Sequence, residues 1–191
     1  MTKLLFLAGS ARKESCNKKL AKYGSILAKE MGADATFIDL KDYELPIFCE
    51  DFEAENGMPQ NAQKLKQLFD AHDGFFISSP EYNSAYSPLL KNTIDWITRP
   101  SPEPAPHWVP FKGKVAAIAG ASPGALGGMR VLVPLRMLLG NLGVHVVPNQ
   151  AAIGNGFNAF NEDGALINDS QLALFGSVIK DLIDTTDKLK A

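Results

Sequence analysis

The run KLLFLAG (3–9) is apolar throughout and closes on glycine, the pattern of a strand buried on both faces. In NKKLAKYGSILAKEMG (17–32) the apolar residues fall instead at Leu20, Tyr23, Leu27 and Met31, one face of a helix that stops at Gly32. ATFIDL (35–40) reads as a second strand, so the chain opens strand, helix, strand, and a right-handed parallel unit is predicted. The alternation continues with a helix at 60–70, the strand DGFFISS (73–79), a helix at 87–98 and the strand GKVAAIAGA (113–121). A helix at 125–142, the short strand VHVVP (144–148) and an amphipathic helix at 170–189 complete it. Five strands, each followed by a helix, predict an α/β fold: a doubly wound five-stranded parallel sheet, with residues 1–191 forming one domain.

Two stretches fit no element, RPSPEPAPHWVP (99–110) and NQAAIGNGFNAFNEDGALIND (149–169). The first joins helix to strand and is placed at the amino edge of the sheet. The second follows a strand and is placed at the carboxyl edge, where sheets of this kind bind ligands.

Composition narrows the function classes. With 46% hydrophobic residues in 191, the chain can build one core that hides roughly 70% of its unfolded surface. The formal net charge is -2 and the lysines are dispersed, so nucleic-acid binding gains no support. Cys16 and Cys49 form no CxxC pair, and His72, His107 and His145 are scattered, so no metal site is expected and a reducing, cytoplasmic setting fits. The apolar run at the amino terminus is too short for a signal-peptide core or a membrane span, and no membrane insertion is expected.

The turn after the first strand reads Gly9-Ser10-Ala11-Arg12-Lys13-Glu14. It lacks two glycines of the dinucleotide fingerprint, and no G-K-[ST] follows five residues after a glycine. Asp39, at the end of the second strand, would suit a ribose-binding acid but means little without those glycines. What the turn offers is Ser10, Arg12, Ser15 and Asn17 before a helix: two hydroxyls, a guanidinium and an amide. With the helix N-terminus these suit a compact, doubly charged monophosphate. The other reading is a capping cluster, with Ser15 or Asn17 serving the helix alone.

Two further loops fall at the same edge. Pro80, Glu81, Tyr82 and Asn83 follow the third strand and offer a rigid turn, an aromatic ring and amide chemistry to a planar ligand. GASPGALGGMR (120–130) follows the fourth, with glycines at 120, 124, 127 and 128 that let backbone approach a ring edge. Leu89, Leu90, Thr93, Ile94 and Trp96 fall on helical spacing and read as core or subunit interface.

These segments resemble the NADPH-dependent FMN reductase family of flavodoxin-like flavoproteins, which includes quinone, azo-dye and chromate reductases. The resemblance is carried by Gly9-Ser10-x-Arg12-x-x-Ser15-x-Asn17, Pro80-Glu81-Tyr82-Asn83, Leu90-Lys91-Asn92 with Asp95-Trp96, and Gly127-Gly128-x-Arg130. It implies the flavodoxin-like strand order 2-1-3-4-5, and that Ser10, Arg12, Ser15 and Asn17 bind the FMN phosphate. It implies too that Pro80 to Asn83 line the isoalloxazine and that the turn from Ser122 to Gly124 touches its pyrimidine end. NADPH or NADH is then the electron donor and a small molecule the acceptor. No side chain is assigned a catalytic role, because the flavin carries the redox chemistry.

The resemblance further implies a homodimer or a tetramer of dimers. Leu89, Ile97, Val133 and Met137 are the apolar residues expected to be in excess of one sheet face, and Trp108 is expected to reach a partner subunit. Two other functions use the same fold: a flavodoxin-type electron carrier, disfavoured by the near-neutral charge and the missing T-x-T-G-N-T-like loop, and a redox-sensing module.

Overall fold

The computed structural model describes residues 1–100 and 110–190. It contains a parallel sheet of β1 (Lys3–Ala8), β2 (Asp34–Ile38), β3 (Gly74–Ser78), β4 (Val115–Ala121), β5 (His145–Val146) and β6 (Ala151–Ile153). The path is β2-β1-β3-β4-β5, and β6 pairs with β4 beyond β5, so the expected doubly wound order is found. Helices α1 (Cys16–Glu30), α2 (Glu50–Asn56), α3 (Gln60–Ala71), α4 (Pro88–Ile97), α5 (Met129–Asn141) and α6 (Asp169–Lys190) cover it.

Strand periodicity sorts the core into two layers. Leu4, Phe6 and Ala8 pack with α1 and α6, whereas Leu5 and Leu7 face α3, α4 and α5. On the first side Phe76 stacks near Phe6 at 5.5 Å and meets the edge of Phe175 at 5.6 Å. On the second, Phe69, Phe75 and Phe111 form a triangle of rings with centroids 5.3 to 5.6 Å apart. The alanines of β4, all buried, let helices approach the middle of the sheet from both sides.

Three sequence expectations are corrected. The strand expected over 144–148 survives only as β5, and the chain pairs again at 151–153, inside the segment expected to be irregular. Pro148 has no N–H to give, so the ladder lapses around it and resumes beyond. The helix expected from 125 begins at Met129, because Gly127 (φ 62°) and Gly128 (φ 81°) hold a left-handed turn before it. Ile97 is fully buried against the sheet and is not part of any surface, while α2 was not anticipated at all. Trp108 and the rest of 101–109 lie outside the described residues.

Long-range polar contacts close the amino edge. The Lys114 amine donates to the carbonyls of Phe69, Asp70 and His72, which a helix C-terminus otherwise leaves unpaired. Burial pushes its pKa below the ordinary lysine value, against the nearby Asp70 and Asp73. Asp73 accepts from the Lys3 N–H at 2.8 Å and from Lys190 at 2.6 Å, joining the first strand to the last helix. Burial alone would raise the Asp73 carboxyl, but those two hydrogen bonds with the charges of Lys190 and Lys114 hold it below its ordinary value.

That depression makes Asp73 a source of stability above its unfolded pKa of about 3.9, lost as pH falls through that value to the lower folded one. Asp73→Asn should cost about 1 kcal/mol in urea unfolding at pH 7 and less at pH 3, where part of that stability is already lost. A gap of equal size at both pH values would contradict the assignment.

Candidate functional site

The site is built where the carboxyl ends of β1, β3 and β4 meet. Gly9, the first residue past β1, donates its N–H to Ser78 O at 2.9 Å, and its carbonyl accepts from the Ser87 hydroxyl at 2.5 Å. Ser87 also caps α4, accepting from Leu90 N, with Pro88 as the first helical residue. A Cβ at Gly9 would sit 3.0 Å from Leu90 Cβ, so this glycine serves close packing of turn on helix.

Ser10 and Ser15 are buried, Arg12 is exposed, and the turn between them runs into α1. Ser15 caps the helix through Lys18 N, and Ser10 accepts from Arg12 N, both at 3.4 Å. Ser15 is therefore the N-cap of α1. These long bonds still leave each hydroxyl proton and the first N–H groups of α1 for a ligand.

Asn17 does something that its position in the motif did not suggest. Its Oδ1 accepts from the Ser78 hydroxyl at 2.8 Å and from Ala121 N at 2.9 Å, while its Nδ2 donates to Ala121 O at 2.8 Å. The carboxamide thus pairs with Ala121 on both sides, as a neighbouring strand would, and joins α1 to the ends of β3 and β4. Asp39 is likewise engaged: it accepts from Lys18 Nζ at 2.6 Å and caps Lys41.

The loop after β3 turns at Asn83 (φ 52°) and Ser84 (φ 67°), between the paired residues Tyr82 and Ala85. Two successive left-handed residues make the tight turn that suits a short hairpin. Tyr82 is exposed and Pro80 half-buried. Glu81 is mostly buried and accepts from the backbone N–H and the guanidinium of Arg130, each at 3.1 Å. Helix α5 has no cap of its own at Gly128, so a carboxylate from another loop meets its positive end.

The loop after β4 interlocks with the one after β6. Ser122 N donates to Ile153 O, Gly156 N to Ser122 O, and Asn155 N to Gly124 O. A Cβ at Gly127 would fall 2.6 Å from the backbone of Ala152 and Ile153, and one at Gly154 2.5 Å from Ala125 O. Most of these glycines therefore allow backbone to pack on backbone. Gly124 differs: it is exposed, and a Cβ there would meet nothing nearer than Ser122 Oγ at 3.8 Å. Glu81, Ser122, Gly124, Leu126 and Arg130 line a cavity of about 310 Å³ between the β3 and β4 loops.

Sequence reasoning brought the three loops to one edge but missed what ties them. Asn17 had one legible signal, a poor helix former at the second helical position. The Glu81–Arg130 pair, 49 residues apart, had none.

A doubly wound sheet in this order, with polar side chains at its first turn and a cavity between the next two loops, has the flavodoxin-like architecture. The chain belongs to the NADPH-dependent FMN reductase family, whose model matches residues 2–158. It is an oxidoreductase that works with FMN and NAD(P)H. An NAD(P)H-dependent FMN reductase of Pseudomonas aeruginosa is 34% identical over 87% of this chain and 85% of its own length. A quinone reductase of Pseudomonas putida is 32% identical over 85% and 83%. Among solved structures, the flavoenzyme NAD(P)H:(acceptor) oxidoreductase FerB from Paracoccus denitrificans superposes with a TM-score of 0.83, at 28% identity over 98% of both chains. Among the described residues no helix is long and apolar enough to cross a membrane.

Proposed function

We propose that this chain is a cytoplasmic NAD(P)H-dependent FMN oxidoreductase that reduces small acceptors of the quinone, azo, chromate or flavin type. The observation that carries this reading is the pairing of a side-chain anion cup at the start of α1 with an open cavity one loop away. The donor set suits FMN: hydroxyls of Ser10 and Ser15, the Arg12 guanidinium and the first N–H groups of α1 for the phosphate, and exposed backbone at Gly124 for a ring edge. FMN, when bound, supplies the acceptance of hydride and its onward transfer.

The side chains then bind, orient and give access. Asn17 holds the floor of the phosphate cup with its carboxamide and offers its N–H to the ligand. From the β3 loop Glu81 lines the cavity, and Pro80, Tyr82 and Asn83 would meet the flavin ring from the same loop, with the Tyr82 ring exposed. Glu81 keeps that wall against α5, and Ser122 and Gly124 meet the polar edge of the ring.

A dimer belongs to the same reading. Met129, Val133 and Met137 recur every fourth residue on α5 and are 53%, 72% and 63% exposed, and Leu89 on α4 is half-buried. Covering that stripe would remove the apolar surface that a monomer leaves in water. Light scattering at micromolar concentration should give two or four times the chain mass, and a monomer would remove this part of the reading.

FMN should bind the purified chain far better than riboflavin. Ser15→Ala should weaken FMN by about 10- to 150-fold, the loss of one hydrogen bond to a charged group. Equal affinity for FMN and riboflavin in the native chain would overturn the phosphate assignment. Steady oxidation of NAD(P)H by a quinone separates the enzyme from an electron carrier.

A further inference from the structure

A second cavity, of about 440 Å³, opens between the loop after β6 and the start of α6. That volume lies within the range of small-molecule sites, about 300–1,000 Å³. Asn155, Asn158, Asn168 and Gln171 contribute four carboxamides to its lining, Ile167 adds an apolar flank, and none of its lining residues is charged.

The protein uses only part of what these amides offer. Asn158 Nδ2 donates to Asn155 Oδ1 at 3.2 Å, Asn168 Oδ1 caps α6 by accepting from Gln171 N at 3.0 Å, and Gln171 Nε2 reaches Gly154 O at 3.5 Å. Among the described residues, Asn158 Oδ1, Asn168 Nδ2 and Gln171 Oε1 have no protein partner, so acceptors and a donor remain around the opening. A neutral ligand with both kinds of group on its edge matches that set. Adenine is such a group, offering an amino donor beside a ring-nitrogen acceptor, a pattern that asparagine and glutamine read in pairs.

The position points the same way. Gly124 and Ala125 line the cavity assigned to the flavin, and Gly154 and Asn155 line the second one. Asn155 N donates to Gly124 O at 3.3 Å, and Gly154 lies against Ala125 O, so a single pair of backbones separates the two cavities. A donor with its nicotinamide in the first has its other half within reach of the second. We infer that the carboxamide cavity takes the adenosine half of the nicotinamide dinucleotide; this rests on the proposed function and adds where the donor is recognised.

The test uses the FMN-loaded chain with Asn158→Leu and, separately, Gln171→Leu, and two donors: NADH and reduced nicotinamide mononucleotide, which has no adenosine. The KM for NADH should rise about threefold to tenfold with each substitution, the loss of one or two neutral hydrogen bonds, and the KM for the mononucleotide should not follow it. Calorimetric titration with 5′-AMP gives a readout independent of turnover: AMP should bind the native holoprotein and bind each variant more weakly by a similar factor. Unchanged NADH KM values with no loss of AMP binding would place the adenosine elsewhere and overturn the inference while leaving the enzyme reading intact. Parallel rises for both donors would show a disturbed flavin cavity and overturn it as well. Failure of both NADH and NADPH to reduce the flavin in the native chain would instead remove the donor reading on which the inference stands.

Discussion

A single buried carboxamide holds the ligand edge of this protein together. Asn17 sits at the second position of α1 and makes three hydrogen bonds, two to the backbone of Ala121 and one to Ser78. Each is worth about 1 kcal/mol net, but removal of the amide leaves a buried hydroxyl, an N–H and a carbonyl unpaired, and that penalty is the larger one. The start of α1 is therefore fastened to the ends of β3 and β4. A helix N-terminus can serve as an anion site only if it is aimed, and Asn17 aims it.

The other contacts at this edge extend the same arrangement outward. Ser87 closes α4 onto Gly9, Glu81 closes the β3 loop onto α5, and the glycines at 127, 154 and 156 let the β4 and β6 loops interlock. The walls of both cavities are thus made from loops fixed at their bases by backbone hydrogen bonds, with exposed groups such as Arg12, Tyr82 and Gly124 left at the surface. That division suits a protein whose reaction chemistry resides in its cofactor: the chain supplies placement, and rigid placement is what cross-bonded loops give.

Much of this was legible in the sequence because it rests on periodicity and on local turn chemistry. The apolar runs of β1, β3 and β4 and the helical spacing of Leu20, Tyr23 and Leu27 predicted the doubly wound sheet and the edge at which the loops gather, and the family resemblance supplied the strand order. The interruption of the fifth strand at Pro148 was visible as a residue but not weighed against the apolar run around it. Ile97 was read as surface because helical spacing shows which residues share a face without showing how much of that face the sheet covers. The bonds from Asn17, Glu81, Lys114 and Asp73 join residues 42 to 117 positions apart, and no local pattern announces such pairs.

Affinity for FMN and for riboflavin, measured side by side on Asn17→Ala with its fold confirmed by circular dichroism, tests the central claim most directly. If the carboxamide aims the start of α1 and fastens the edge, FMN should weaken by about tenfold or more and riboflavin, which has no phosphate, by less. FMN affinity equal to that of the native chain would contradict the account.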